Sequence, residues 1–408
     1  MLNISQEEAL ELIRSNDIKF VRLAFCDIYG EQKNLSIQSS ELERAFKYGI
    51  SMDGSAITGF RDSAQSDLML FPDPDTLVLL PWRPSRGGVA RFFCDIRLPD
   101  GTPFAGDSRR VLAETERICR DHGLECAIGA ECEFYLFRCD DSGNPTYEPL
   151  DHAGYFDIAP DDRGENVRRE ICMTLESMGL TPERSHHEQG PGQMEVDFRY
   201  SEPLRAADNV ITFKQVVSVI AARNGLWASF SPKPVKEHAG NGLHINVSIS
   251  EGGNASQQER FDMFMAGLLH YVPEMTVILN PVEESYARLG REKAPNRVSW
   301  TPNNRSQLIR IPASLPENRR MELRSPDPLA NPYLAFSLVL RAGLEGIQQQ
   351  MKLPEPCSEN LLLAPKEVQQ QYPPLPQTLR EAKRIAAESI FMQTVLPAHI
   401  LSTYTEGQ

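Results

Sequence analysis

Residues 129–137 have the sequence GAECEFYLF, in which apolar and acidic side chains alternate from Ala130 to Phe134. In a β-strand, residues two apart share a face and lie roughly 7 Å apart. Glu131 and Glu133 therefore point to one side of a predicted strand, and Ala130, Cys132 and Phe134 point to the other. The pattern predicts a strand with one apolar face for a core and one acidic face for a cleft.

The same alternation occurs in three other segments that carry metal-ligand-type side chains. These are QMEVDFRY with Glu195, LHINVSI with His244 and MELR with Glu322, while Glu188 lies in SHHEQG just before the first of them. Any one segment alone is equally well explained as a half-exposed strand with a solvated polar face. Four together favour an antiparallel sheet that packs helices on one side and lines a cleft on the other.

The chemistry of these six side chains indicates the kind of metal they suit. Five carboxylates and one imidazole match hard divalent ions such as Mg²⁺ or Mn²⁺ better than a thiolate-bound metal. If the six side chains converge, they form a two-metal site of the kind that is common in enzymes that transfer phosphoryl groups.

Composition limits the class of protein. The chain has 408 residues, 41% of them apolar and 24% charged, which is enough for two domains with a buried core. Its net charge of −14 argues against nucleic acid or an anionic membrane as a partner. The first residues contain no apolar signal-type run, and the eight cysteines form no C-x-x-C pair. We therefore expect a cytoplasmic protein with reduced thiols.

Turn-forming residues and the apolar segments between them predict the organisation of the chain. Residues 18–38 read as a hairpin, 41–48 as a short helix, and the Pro- and Gly-rich segment 98–108 as the domain boundary. A capped helix follows, from Asp107 or Ser108 to His122. Further helices are predicted in the second part of the chain, at 166–178, 206–223, 257–270, 328–350 and 377–389.

Arginines are concentrated between residues 288 and 324. The segment contains eight, at positions 288, 291, 297, 305, 310, 319, 320 and 324, against a single lysine, Lys293. This bias favours planar, bidentate recognition of phosphate and carboxylate, although isolated surface ion pairs would also explain individual residues. No phosphate-binding P-loop or dinucleotide-binding motif is present, so any ATP would be held by metals and arginines.

Several long motifs in fixed order now indicate a family. They are MDGSAITGF, GAECEF, YFDIAPDD, HHE-x-GPGQ-x-E, NG-x-H, NRS-x-x-IRIP and RRMELRSPDPLANPYLAF. On these motifs the chain resembles glutamine synthetase over about residues 5–390. The resemblance implies an α+β fold, with a small N-terminal β-grasp-like domain at 1–100. A larger catalytic domain at 101–408 would follow, with an antiparallel, partly barrelled sheet packed by helices.

The resemblance also implies roles for single residues in metal and substrate binding. One metal ion would be held by Glu133, Glu188 and Glu195, and another by Glu131, His244 and Glu322. Arg288 and Arg324 would bind the α-carboxylate of an amino-acid substrate, with the Gly240 carbonyl facing its ammonium group. Arg305 and Arg310 would neutralise the transferring phosphoryl group, and Arg320, Tyr200 and Ser248 would contact the nucleotide.

For the second substrate, the resemblance implies a pocket for an amine. Asp53 of a neighbouring subunit would bind and deprotonate it together with Tyr155 and Glu188. In the flap over this pocket, where the family has a catalytic glutamate, the chain has Glu292 followed by Lys293, and counting back from Ala294 and Pro295 puts Lys293 at that place. A lysine there would repel ammonium, unless the loop shifts to bring Glu292 into position.

The implied activity is that of an ATP-dependent ligase in nitrogen metabolism, using two or three divalent ions. ATP would phosphorylate the γ-carboxylate of glutamate, and ammonium would displace the phosphate. Because the metal half of the site is intact and the amine half is altered, a γ-glutamyl ligase for a larger amine remains an alternative. A catalytically silent ring protein and a phosphotransferase acting on a guanidino compound are weaker alternatives. The shared Asp53 implies a homo-oligomer, either a hexameric ring or a double-ring dodecamer.

Overall fold

A computed structural model describes residues 4–83, 86–249, 256–313 and 319–407. Within these residues, the first part of the chain forms one mixed sheet in the order β2-β1-β6-β4-β3, with β5 beside β6. Its strands are β1 (Ile18–Cys26), β2 (Gln32–Gln38), β3 (Ile50–Asp53), β4 (Asp67–Pro72), β5 (Val78–Leu79) and β6 (Gly88–Arg97). β1 and β2 pair antiparallel, which confirms the predicted hairpin, and β1 pairs parallel with β6.

The remaining strands form a larger sheet in the order β13-β14-β15-β12-β7-β10-β9, and β8 and β11 also pair with β7. They are β7 (Cys126–Cys139), β8 (Pro145–Pro149), β9 (Pro182–His187), β10 (Gln193–Phe198), β11 (Leu226–Ser229), β12 (Leu243–Ile249), β13 (Trp300–Thr301), β14 (Ile309–Arg310) and β15 (Met321–Leu323). All pairs are antiparallel except β13 with β14. The predicted antiparallel sheet is therefore confirmed.

Helices flank both sheets. They are α1 (Gln6–Ser15), α2 (Leu42–Tyr48), α3 (Ser108–Asp121), α4 (Glu165–Ser177), α5 (Pro203–Arg223), α6 (Gln257–Leu279), α7 (Glu283–Arg288), α8 (Pro332–Gln348), α9 (Lys366–Gln369), α10 (Leu379–Glu388), α11 (Ile390–Val395) and α12 (Ala398–Glu406). Asp107 caps α3 as predicted, and Asn331 caps α8, which has proline at its first position. Across the described ranges, no helix is both long enough and apolar enough to pass through a membrane.

The core lies between the larger sheet and its helices. Cys132, Phe134, Ile245 and Val247 are fully buried in one cluster, so the apolar faces predicted for β7 and β12 are confirmed. α5 packs against β7 and β11, and α6 packs against α8. The predicted alternation thus leaves the other face of the sheet available for polar side chains.

The predicted end of helix α6 is wrong. The sequence pattern predicts that this helix ends at residue 270, whereas in the structure it continues through Pro273 to Leu279. Proline removes one backbone hydrogen bond from a helix interior. Met275 and Ile278, which follow it, are fully buried in the main core. Burial of this last part against neighbouring elements outweighs the local preference of proline.

A buried ionic cluster connects the first sheet to two helices of the second part of the chain. Arg109 of α3 donates from Nε and Nη2 to the two carboxylate oxygens of Asp208 in α5, both at 3.0 Å. It also lies 2.8 Å from Asp73 and 3.4 Å from Asp95, both in the first part of the chain. Only 8% of the Arg109 side chain is exposed. The guanidinium therefore holds carboxylates from both parts of the molecule together.

Candidate active site

The polar face of the larger sheet lines a cavity of about 370 Å³. The six residues that sequence analysis proposed as metal ligands all lie on its wall: Glu131, Glu133, Glu188, Glu195, His244 and Glu322. Their convergence follows from strand register, since residues directly opposite each other on paired strands share a face.

Glu131, His244 and Glu322 form the first acidic group. His244 of β12 stands directly opposite Glu131 of β7, and its Nδ1 lies 3.3 Å from Glu131 Oε2. Glu322 enters from β15, with Oε1 3.7 Å from the same Nδ1. One ligand atom from each of the three residues lies within 4.8 Å of the others, so the group has the dimensions of a metal site.

The second group contains one residue that sequence reasoning missed. Glu195 of β10 stands opposite Glu133 of β7, and on its other side it faces His186 of β9. The atoms within 4.8 Å of one another belong to His186, Glu188 and Glu195. His186 Nε2 lies 3.0 Å from Glu188 Oε1. The consecutive histidines of SHHEQG were the available signal for His186.

Glu133 is held slightly apart from that group. Its Oε2 accepts hydrogen bonds from the backbone N–H of Gly242 at 2.8 Å and from the side-chain amide of Gln193 at 3.2 Å. These donors orient the carboxylate toward the cavity that it shares with Glu188 and Glu195.

The electrostatics of the site favour a bound cation. Burial, followed by the nearby charge of Glu188, raises the pKa of Glu133 to about 8. Burial and the charge of Asp197 raise the pKa of Glu195 well above its ordinary value. Crowded, buried carboxylates resist ionisation together, and a divalent cation among them would relieve that repulsion. The donor set therefore fits a hard divalent ion.

The first group is already suited to ligation. Burial alone would raise the pKa of Glu131, but the hydrogen bond and charge of His244, with Arg184, lower it to about 2. Burial, followed by the charge of Arg324, lowers the pKa of His244. The first shift favours an ionised carboxylate and the second favours loss of the imidazole proton, and the deprotonated forms of both groups offer lone pairs to a metal.

Six of the eight arginines between 288 and 324 reach this cavity: Arg288, Arg291, Arg305, Arg310, Arg320 and Arg324. Arg310 and Arg324 both bind the carboxylate of Glu322, the former at 2.6 Å. The other two turn away, since Arg297 donates to the Tyr372 carbonyl and Arg319 lies over the ring of Phe261. Most of the arginines in this segment therefore line the cavity, and two of the eight make contacts elsewhere.

Arg288 and Gly240 both line the first cavity and lie close together. Arg288 is buried, and its Nη1 donates to the carbonyl of Ser325 at 2.7 Å. A Cβ on Gly240 would lie 2.9 Å from Arg288 Cγ and 2.3 Å from the carbonyl oxygen of Pro232. The close approach of the Pro232 carbonyl and of the aliphatic part of the Arg288 side chain requires glycine at this position.

A second cavity of about 720 Å³ adjoins the first and shares Glu131, Arg184 and Arg320 with it. Tyr200 and Ser248, which sequence analysis proposed as nucleoside contacts, both line this second cavity. Arg320 stands at the junction, where its Nε donates to Asn246 Oδ1 at 3.1 Å.

The flap residues Glu292 and Lys293 both line the first cavity but contact different partners. Glu292 Oε2 lies 3.2 Å from Nζ of Lys233, a lysine whose side chain is only 4% exposed. Lys293 Nζ lies 4.6 Å from the centre of the Tyr155 ring. The contact with Lys233 is not predictable from the sequence pattern, because 58 residues lie between the two positions in the chain.

Asp53 is the one proposed site residue that does not line either cavity. It ends β3 of the first sheet and is exposed. Hydrogen bonds from the hydroxyl and backbone N–H of Ser55 lower the pKa of Asp53. Within one chain, therefore, this carboxylate is ionised and separate from the cleft.

Comparison with known proteins agrees with this architecture. Residues 17–99 match the glutamine synthetase β-grasp domain, and residues 105–408 match the glutamine synthetase catalytic domain. These matches confirm the predicted β-grasp-like domain and define a class of enzymes, the ligases that form carbon–nitrogen bonds.

Individual relatives support the same class. A glutamine synthetase of Clostridium saccharobutylicum is 41% identical, over 100% of this chain and 95% of the relative. One from Methanosarcina mazei is 44% identical, over 98% of this chain and 92% of the relative. The chain belongs to the glutamine synthetase family.

Solved structures show the same fold. One described as a GmaS/ADP complex has a TM-score of 0.88 and 27% identity, over 98% of this chain and 95% of that one. A glutamine synthetase of Plasmodium falciparum has a TM-score of 0.86 at 20% identity, over 99% of this chain and 95% of that one, and indicates the fold alone.

Proposed function

We propose that this chain is a glutamine synthetase, which joins glutamate to ammonium at the expense of ATP through a γ-glutamyl phosphate. The observation that carries the proposal is the meeting of two carboxylate-rich groups with six arginines on one cavity wall. Relatives named glutamine synthetase, at about 40% identity over nearly the whole chain, support it.

Divalent ions, Mg²⁺ or Mn²⁺, are proposed to occupy the acidic groups, two or three per site. Glu131, His244 and Glu322 would hold one ion, and Glu133, Glu188 and Glu195 another. The ions would supply charge neutralisation for phosphoryl transfer and for the negatively charged substrates. His186 is positioned to orient Glu188, because its Nε2 lies 3.0 Å from that carboxylate.

The arginines and the adjoining cavity would hold the two larger substrates. Arg288 and Arg324 would bind the α-carboxylate of glutamate, whose ammonium group would face the Gly240 carbonyl. Arg305 and Arg310 would neutralise the transferring phosphoryl group. ATP would extend into the second cavity, where its phosphates meet Arg320 and its nucleoside meets Tyr200 and Ser248.

The reaction would then proceed in two steps. A γ-carboxylate oxygen of glutamate attacks the terminal phosphorus of ATP, the bond to ADP breaks, and an acyl phosphate forms. The amine nitrogen next attacks the acyl carbon, inorganic phosphate leaves, and a base takes the proton that the nitrogen loses. The Tyr155 and Glu188 side chains would line the amine pocket, and the flap with Glu292 would exclude water.

Asp53 is proposed to complete that pocket from a neighbouring copy of the chain. Asp53 is exposed and does not line either cavity of its own chain, which supports this assignment. A ring of six subunits, single or stacked as a double ring of twelve, would bring it into place. Mass photometry tests the assembly, and a monomer would contradict the shared pocket. We also propose a cytoplasmic location, which the eight free cysteines favour.

One observation favours a second candidate, a γ-glutamyl ligase for a larger amine. The cation of Lys293, rather than a carboxylate, faces Tyr155 in the proposed amine pocket. An altered pocket of this kind can redefine the nucleophile while leaving the metal and phosphate chemistry in place.

The test measures ADP and amide together. The purified chain is incubated with ATP, glutamate and Mg²⁺ or Mn²⁺, with ammonium or one of a panel of primary amines. Glutamine formation matched by ADP supports the first proposal, and amide with larger amines alone supports the second. ADP without amide, or no turnover in any mixture, contradicts both, and the latter result favours a silent ring protein.

A further inference from the structure

The flap presents two neighbouring residues of opposite charge to different surroundings. The loop is closed by a backbone hydrogen bond of 2.9 Å from Gly290 N–H to the Ala294 carbonyl. Glu292 forms an ion pair with the buried side chain of Lys233, whose Nζ lies 3.2 Å from Glu292 Oε2. The Lys293 carbonyl accepts from Arg324 Nη2 at 3.4 Å, which anchors its backbone to the cavity wall. The residue that reaches toward Tyr155 is therefore a cation.

The surroundings of the Lys293 ammonium are those that would receive a free amine. Its nitrogen lies 4.6 Å from the centre of the Tyr155 ring, which is the geometry of a cation–π contact. That ring meets His186 edge to face, with centroids 5.6 Å apart, and His186 in turn contacts Glu188. Tyr155 and Glu188 could attract a free ammonium ion. In this chain the ammonium group of Lys293 already lies over the Tyr155 ring.

We propose that Lys293 acts as a built-in competitor that disfavours positively charged acceptors and selects for acceptors that bind uncharged. This inference rests on the proposed ligase function. A free ammonium or alkylammonium ion would have to displace the side chain or sit beside its charge. At a separation of roughly 5 Å, the repulsion between two unit charges weakens binding by about fourfold in bulk water and by about 270-fold in a partly buried site. An amine that binds without charge avoids this repulsion.

The test compares acceptors of similar size but different charge. Ammonium and methylammonium are cations at neutral pH, whereas hydroxylamine is largely uncharged. Amide or hydroxamate formation is measured for the wild type and for Lys293→Met, which keeps the length of the side chain and removes its charge. We expect kcat/KM to rise about tenfold or more for the two cations and to change less than about twofold for hydroxylamine.

Two further variants separate charge from structural effects. Lys293→Arg retains the cation and should reproduce the wild-type preference among acceptors. Lys236→Met removes an exposed lysine that lies outside both cavity walls, and it should leave all three values unchanged.

Distinct results would overturn the inference. Equal changes for all three acceptors in Lys293→Met, no change for any, or a Lys293→Arg variant that behaves like Lys293→Met would each refute it while leaving the ligase function standing. If neither the wild type nor any variant forms amide or hydroxamate, the proposed function fails and the inference fails with it.

Discussion

Arg109 provides the sharpest test of how the two parts of the molecule are held together. Replacing it with methionine keeps most of the apolar stem and removes the guanidinium that binds Asp208, Asp73 and Asp95. Asp208 is 3% exposed, so it would remain as a buried charge that has lost its bidentate partner. Tyr333 would still donate to it at 2.7 Å.

The size of the effect follows from this burial. Removing one partner of a buried ion pair costs about 3–5 kcal/mol, mostly because the other charge stays desolvated. We expect Arg109→Met to lower the free energy of unfolding by that amount. Asp208→Asn in the same background should recover about half of it, since it removes the stranded charge.

The assay is urea unfolding followed by tryptophan fluorescence, at one fixed protein concentration because assembly also affects stability. Arg110→Met is the matched control, since Arg110 is the exposed neighbour on the same helix, and it should change stability by less than about 0.5 kcal/mol. A loss below about 1 kcal/mol for Arg109→Met, or no recovery in the double variant, would refute the reasoning.

Three further predictions concern the site and the helix packing. Glu133→Gln should weaken Mn²⁺ binding about tenfold or more in isothermal titration, with unchanged folding by circular dichroism, because an amide cannot become the carboxylate ligand that Glu133 would supply. Mn²⁺ should bind the wild type more tightly as pH rises from 6 to 8 and level off above that range. The pKa of Glu133 is raised to about 8, so this carboxyl holds a proton below that pH and must release it to bind the metal ion. An Mn²⁺ affinity that does not change between pH 6 and 8 would contradict the assignment of Glu133 as a metal ligand. Gly267→Ala should destabilise the fold by about 1–3 kcal/mol in urea unfolding, since a Cβ there would lie 2.1 Å from the Ala342 carbonyl oxygen where α6 crosses α8; a neutral effect would show that the helices can separate at little cost.

The faces of the strands were predictable because side-chain alternation is a local property of extended backbone. Glu131 and Cys132 needed no knowledge of the rest of the fold to be assigned to opposite faces. Their assignment is confirmed by the buried Cys132 and the cavity-lining Glu131. The cap of α3 was likewise predictable, because the Asp107 side chain bonds to backbone N–H groups only two and three residues away.

The contacts that the site residues make with other parts of the chain were less predictable from the sequence. His186 joins the acidic group because β9 pairs with β10 in one particular register, and a shift by one residue would turn it away. The end of α6 was missed because its last turns are stabilised by burial rather than by propensity. In both cases the deciding contacts come from residues distant in the chain.

The sequence by itself therefore determined the fold class, the family and the six carboxylate and imidazole side chains that line one cavity, because local periodicity and long ordered motifs encode them. Only the tertiary structure decided which flap residue faces Tyr155. Glu292 and Lys293 are adjacent in the chain, and the buried side chain of Lys233, 59 positions before Glu292, binds Glu292 and leaves Lys293 to the cavity. Ion pairs and ring contacts of this kind depend on distances across the fold, which one-dimensional spacing does not contain.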